Sequence, residues 1–168
     1  MGMRDVRVGK VVVNVGVGEA GEKLSKAQRV LQMVTKHKPV QTLARGSVRD
    51  WAVRQNMPIG AKVTLRGEDA SGFLRRALAV RNNRLPEYVF DRFGNFSFGI
   101  ADYTDFEGMK YDPQIGVFGM DVSVTLVRAG FRVAQRRSTP GRIPRHHRVT
   151  KTEALEFTRA TFGVEVGE

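Results

Sequence analysis

The sequence contains no cysteine among its 168 residues. Disulfides and cysteine-ligated zinc are therefore excluded, and the composition fits a reducing compartment. Long apolar runs are missing too: nothing approaches the roughly 20 residues needed to span a bilayer. The opening MGMRDVRVGK lacks the apolar stretch of a secretory signal. Met1-Gly2 hints at N-myristoylation, but Val6 stands where Ser or Thr is required. Catalytic patterns are equally scarce. There is no serine-centred elbow and no HExxH, and the three histidines, His37, His146 and His147, all sit among basic residues. Asp102, Asp105 and Glu107 do not meet the spacing of a calcium loop and read as a solvated acidic loop. The expectation is a chain that is not an enzyme, with no metal and no cofactor.

What is abundant is positive charge. Lys and Arg total 28 against 17 Asp and Glu, a formal +11. Such a surplus repels itself on folding, so a polyanion is expected to neutralise it. Without a membrane segment, nucleic acid is a better candidate than an anionic bilayer surface. The charge is also segregated. Seven Lys/Arg and no carboxylate lie between Glu22 and Asp50, and eight lie between Asp121 and Glu153. Acids collect between Glu68 and Asp121 instead. Segregation of this kind makes basic surfaces rather than a mixed exterior.

Several segments alternate with the strand period of two. Val11, Val13, Val15 and Val17 share one face of Lys10–Val17, and Lys10, Asn14 and Gly16 share the other. Ala61, Val63 and Leu65 oppose Lys62, Thr64 and Arg66; Val122, Val124 and Leu126 oppose Ser123 and Thr125. Phe96, Phe98 and Ile100 mark a fourth strand, and Pro39–Ala44 a fifth. Between them, Leu24, Ala27, Leu31 and Val34 predict an amphipathic helix over Lys23–Thr35. Phe73, Leu74, Ala77 and Leu78 predict a second, capped by Asp69 or Ser71, with Glu68 and Asp69 as N-terminal acids. A third opens with Thr150-Lys-Thr-Glu153, a capping box. Asp102–Gly119 and Arg137–Arg148 read as long loops. The expected fold is α+β, a mainly antiparallel sheet with helices on one face. The sheet's other face, with Lys10, Asn14, Lys62, Thr64 and Arg66, is cationic and rich in hydrogen-bonding groups. A one-sided sheet always has a polar outer face; the charge surplus favours RNA binding over that plainer account.

Three segments have two readings each. Gly16-Val-Gly18-Glu-Ala-Gly21 matches GxGxxG between a strand and a helix, which suggests a dinucleotide site, with Arg45 on the 2′-phosphate of NADP. Against this, the acid expected about 20 residues on is replaced by Lys36-His37-Lys38-Pro39, and Asn14 interrupts the strand. A tight turn is the better reading. The segment Ala44–Gly60 joins two strands and holds Arg45, Arg49, Arg54 and Trp51, the only tryptophan. Long loops without a core are usually functional or disordered, and Trp51 serves either as a stacking ring or as an anchor for the loop. The run from Arg136 through Arg137, Arg142, Arg145, His146 and His147 to Arg148 has no acids of its own. It is bracketed by a strand and a capped helix and reads as a nucleic-acid loop rather than a solvated tail. A DNA-binding protein also satisfies the charge.

The motifs VVNVGVGEA at Val12–Ala20, GSVRDWAVRQNMPIGAKVTLRG at Gly46–Gly67, FGNFSFGI at Phe93–Ile100 and GMDVSVTL at Gly119–Leu126 closely resemble the universal large-subunit ribosomal protein "L five" family. The ending RRSTPGRIPRHHRVTKTEALEF is similar to its archaeal and eukaryotic branch, and so is the short N-terminus without the helix that opens bacterial members. The resemblance spans nearly the whole chain with its motifs in order. It implies one domain over 1–168 whose concave sheet binds 5S ribosomal RNA in the central protuberance. It also implies attachment to the 23S-type RNA of the large subunit beside another 5S-binding ribosomal protein, in the cytoplasm and without a homo-oligomer. The family's polar contacts to 5S RNA fall on Asn14 and Thr64, and a third on His37, where bacterial members carry Gln before Lys-Pro. Lys10, Lys38, Lys62 and Arg66 are expected beside them. The loop over 45–60 corresponds to the one that reaches the elbow of P-site tRNA, here through Arg45, Ser47, Arg49, Arg54 and Gln55. The basic loop over 136–149 is expected on ribosomal RNA.

Overall fold

Val11, Val13 and Val15 are buried at alternate positions of one strand, as a period of two requires. In the computed structural model, which describes residues 2–167, this strand is β1, Val6–Gly16. It begins four residues before the expected Lys10; Val6 and Val8 are half-buried there, on the parity of Lys10 rather than that of Val11. The helix α1, Glu22–Thr35, follows, with Leu24, Ala27, Leu31 and Val34 all buried and Val30 beside them. Then come β2, Val40–Leu43, and β3, Pro58–Leu65. The second helix, α2, spans Gly67–Val80. After it lie β4, Arg84–Pro86, β5, Phe96–Ile100, and β6, Met120–Arg128. The short α3, Arg132–Gln135, then α4, Lys151–Phe162, and β7, Glu165–Gly167, complete the described chain.

The fold is α+β. Five strands form an antiparallel sheet in the order β2-β3-β1-β6-β5, and β4 pairs with β7 in parallel as a separate ribbon. The chain clusters into two compact units. One comprises Val12–Leu65 and Gly99–Val122. The other comprises the chain up to Val11, Arg66–Phe98, and the chain from Ser123. In the first, β2 runs antiparallel to β3 with Val40 opposite Lys62 and Thr42 opposite Gly60, and α1 packs on β3. A Cβ on Gly60 would stand 2.8 Å from Thr42 Oγ1 and 2.9 Å from the Val15 carbonyl. Only glycine lets the strands close this tightly.

Several elements differ from expectation. Helix α2 starts at Gly67, its N-cap is Arg66 without a side-chain cap bond, and Glu68 and Asp69 lie in its first turn as expected. Ser71 is no cap: its hydroxyl donates back to the Gly67 carbonyl at 3.0 Å. The capping box of α4 is present in full, Thr150 and Glu153 each serving the other's backbone. The stretch after Asp102 has its own anchors. Tyr103 and Phe106 are buried, Tyr103 Oη accepts the Asp112 N–H at 3.3 Å, and Asp102 Oδ1 accepts from Thr104 N at 3.0 Å. The β4–β7 pair and α3 are not marked by periodicity, since three or four residues are too few to show it.

Candidate nucleic-acid interface

Within the unit that holds α1, the strand positions opposite the core carry the polar side chains. On β3, Lys62 and Thr64 are exposed between the buried Ala61, Val63 and Leu65. On β1, which neighbours β3 in the sheet, Asn14 is half-buried between the buried Val13 and Val15. Neither strand contains a carboxylate. His37 follows the end of α1, where Lys36 takes a left-handed turn at φ 58°. Thr35 fastens that turn. Its hydroxyl donates to the Leu31 carbonyl at 2.6 Å and accepts the His37 N–H at 3.3 Å. His37 Nδ1 lies 2.9 Å from the Thr35 carbonyl, so that nitrogen carries the proton and donates. Lys38 is exposed beside it.

The loop over 45–60 is a closed structure. Ala44 N donates to Met57 O and Asn56 N to Ala44 O, both at 2.9 Å. Val48 and Val53 form an antiparallel bridge around a tip where Ala52 reaches φ 52°. Ser47 Oγ accepts the Gln55 N–H at 2.9 Å, so this hydroxyl is partly committed to the loop itself. Arg45, Arg49 and Arg54 are exposed and form no ion pair among the described residues. Trp51 is 76% exposed. The anchoring alternative for this ring is therefore excluded; main-chain bonds hold the loop and the indole faces outward.

The same local geometry disposes of the dinucleotide reading. Val17 N and Gly18 N both donate to the Ile59 carbonyl, at 3.0 and 2.8 Å. Two amides of the turn that would cradle a pyrophosphate are spent on β3. Moreover, β1 and β2, which flank the helix, are separated in the sheet by β3, unlike a doubly wound fold.

In the other unit, Lys10 is half-buried and Arg66 exposed. The basic loop over 136–149 is pinned by its own bonds. Arg136 Nε donates to Thr139 O at 2.8 Å, and Gly141 N to Val133 O at 3.0 Å. His147 is turned inward, its Nε2 donating to the Ala129 carbonyl at 2.8 Å. Arg137, Arg142, Arg145, His146 and Arg148 are exposed, and the Arg148 guanidinium lies 5.9 Å from the centre of the Phe93 ring. Sequence reasoning missed Arg128. It occupies a core position of β6, 8% exposed, and pairs with Glu153 at 2.5 Å. The Thr150 N–H above all holds the Glu153 carboxyl below the usual carboxylate range; burial opposes it, and the Arg128 guanidinium adds a lesser lowering. The available signal was parity, since Arg128 continues the series Val122, Val124, Leu126.

The family described as "Ribosomal protein L5" matches residues 2–54, and the model of the same ribosomal family's C-terminus matches residues 58–157. The chain is 53% identical over 165 residues to "Large ribosomal subunit protein uL5" of Thermoplasma volcanium, covering 98% of this chain and 97% of the relative. The chain belongs to the ribosomal protein L5 family. The protein of the same description from Sulfurisphaera tokodaii is 52% identical over 167 residues, 99% of this chain and 94% of its own. That of Methanoregula boonei is 47% identical over 164 residues, 98% and 99%. The ribosomal protein L5 family consists of structural proteins rather than enzymes. Among the described residues, no helix is long and apolar enough to cross a membrane.

Proposed function

We propose that this large-subunit ribosomal protein binds 5S ribosomal RNA and joins it to the large-subunit RNA of the central protuberance, on the cytoplasmic ribosome. A second 5S-binding ribosomal protein is its neighbour there. The loop over 45–60 reaches P-site tRNA with Arg45, Arg49 and Arg54, and Trp51 is available at its tip for stacking. The observation that carries the 5S reading is the acid-free β1–β3 pair, which sets Asn14, Lys62 and Thr64 on neighbouring strands of one unit. The resemblance to the family assigns polar contacts to 5S RNA to Asn14, Thr64 and His37.

Two physical terms divide the work. Lys and Arg contacts to phosphates supply most of the affinity and make it fall with salt. Asn14 and Thr64 read groove-edge groups and 2′-hydroxyls, which carry no counterions. Accordingly, Asn14→Ala with Thr64→Ala weakens binding of a 5S transcript with little change in the log–log salt slope. Arg142→Ala with Arg145→Ala, measured on large-subunit RNA, flattens the slope by about 0.7–0.9 per lost phosphate contact. Filter binding across a salt series distinguishes the two sets. Equal loss of slope in both overturns the division.

A further inference from the structure

Two adjoining depressions lie in the unit that holds Arg128. The first, of about 380 Å³, is a cationic cup lined by Arg7 and Lys10 of β1, Arg66, and Arg132 of α3. No carboxylate lines it. Arg128 contributes to its wall, and Arg128 Nε is the single buried side-chain polar atom without a partner among the described residues. A polar atom left that way in a native fold calls for an explanation, an absent ligand among them. The second depression, of about 410 Å³, is a largely apolar slot walled by Phe93, Phe131, Ile143 and Val149. Its only charged lining groups are Arg142 and Arg148. Both volumes fall in or near the roughly 300–1,000 Å³ range of small-ligand sites.

The two depressions share Thr125, Val127 and Phe131. A single aromatic ring therefore stands at the boundary between a place for anions and a place for a flat apolar group. Phe93 is 43% exposed and already carries guanidinium groups, with Arg92 at 4.8 Å and Arg148 at 5.9 Å from its centre. Aromatic rings and guanidinium planes are the surfaces on which splayed-out RNA bases stack. Arginine forks match phosphate oxygens. A protein partner has to bring both an apolar wedge and several carboxylates to the same spot; a nucleotide carries base and phosphate on one sugar.

We propose that the two compartments together hold one unstacked nucleotide of ribosomal RNA. Its base lies in the slot against Phe131 and Phe93, and its phosphate lies in the cup of Arg7, Lys10, Arg66 and Arg132. Thr125, on the shared wall, supplies a hydroxyl to the base edge. This inference rests on the RNA-binding function proposed above and adds a base-holding site to it.

The test uses the full chain and deproteinised large-subunit RNA including 5S. Ultraviolet crosslinking read by mass spectrometry is expected to join a base to a peptide containing Phe93 or Phe131. Phe131→Ala and Phe93→Ala each lower affinity about 5- to 150-fold, as for loss of one stacked base, with an unchanged salt slope. Phe131→Leu and Phe93→Leu keep the apolar wall and the melting temperature, yet lose most of the crosslink. Arg7→Ala with Arg132→Ala flattens the slope by up to about 0.7 to 0.9, the share of the one phosphate held in the cup. If wild-type protein binds the RNA while the phenylalanine variants bind equally well and no crosslink forms at these peptides, the nucleotide site is wrong and the RNA-binding function stands. If wild-type protein binds no ribosomal RNA, both fall.

Discussion

Removing the Glu153 charge is expected to cost more stability than removing the Arg128 side chain it pairs with. The Arg128 side chain is 9% exposed and that of Glu153 is 37% exposed. Arg128 Nη2 donates to Glu153 at 2.5 Å, Nη1 donates to the His146 carbonyl at 3.4 Å, and Nε has no acceptor. Glu153→Gln therefore leaves a buried cation with little to balance it. Breaking one partner of a fully buried pair costs about 3–5 kcal/mol. Because Glu153 itself is more than a third exposed, solvent screening reduces this to about 2–3 kcal/mol. Arg128→Met is different. It removes the charge and the unsatisfied Nε together, keeps most of the stem volume, and leaves Glu153 bonded to Thr150 at 3.0 Å. Its cost is about 1 kcal/mol, below the roughly 1.5–3 kcal/mol of a lost charged hydrogen bond because the cation's burial is relieved. In the double variant the buried cation is gone, so stability returns close to that of Arg128→Met. Urea unfolding at pH 7, with midpoints compared at constant slope, measures all three. The reasoning is refuted if Arg128→Met costs as much as Glu153→Gln, or if the two losses simply add.

Further outcomes follow from the same geometry. Gly60→Ala forces a Cβ to within 2.8 Å of Thr42 Oγ1 and 2.9 Å of a β1 carbonyl. It should cost about 1–3 kcal/mol, whereas Gly16→Ala, with nothing within 4 Å, should be close to neutral; thermal melts compare them. The folded-state pKa of Glu153 is lowered, so its stabilisation is present above the ordinary carboxylate range and lost as pH falls through the depressed value. The Arg128–Glu153 coupling from the double-mutant cycle should therefore be full at pH 7 and shrink in strongly acid solution. A coupling independent of pH contradicts the ion pair.

The elements with enough residues to repeat a pattern were legible in the sequence. Val11, Val13 and Val15 declare β1, Leu24 through Val34 declare α1, and Thr150 with Glu153 declares the start of α4. Boundaries were less secure, because Gly67 opens α2 before any apolar repeat begins. The β4–β7 ribbon depends on a contact between Arg84 and Glu165, far apart in the chain, which no local pattern encodes. The candidate interface was half legible. Lys62 and Thr64 follow from alternation. His147 turning inward to Ala129 and Arg128 pairing with Glu153 each depend on a partner distant in sequence, and the outward Trp51 depends on the main-chain bonds that close its own loop. The slot beside Phe131 arises only once α3 and the 141–143 segment meet β6.

The central claim is preference for a particular folded RNA rather than attraction to any polyanion. Competition at one fixed salt concentration measures it directly, with labelled 5S ribosomal RNA on the full-length protein and unlabelled 5S RNA, unrelated structured RNA of equal length, and duplex DNA as competitors. The account predicts displacement by 5S RNA at far lower concentration than by either of the others. Equal displacement by all three contradicts it.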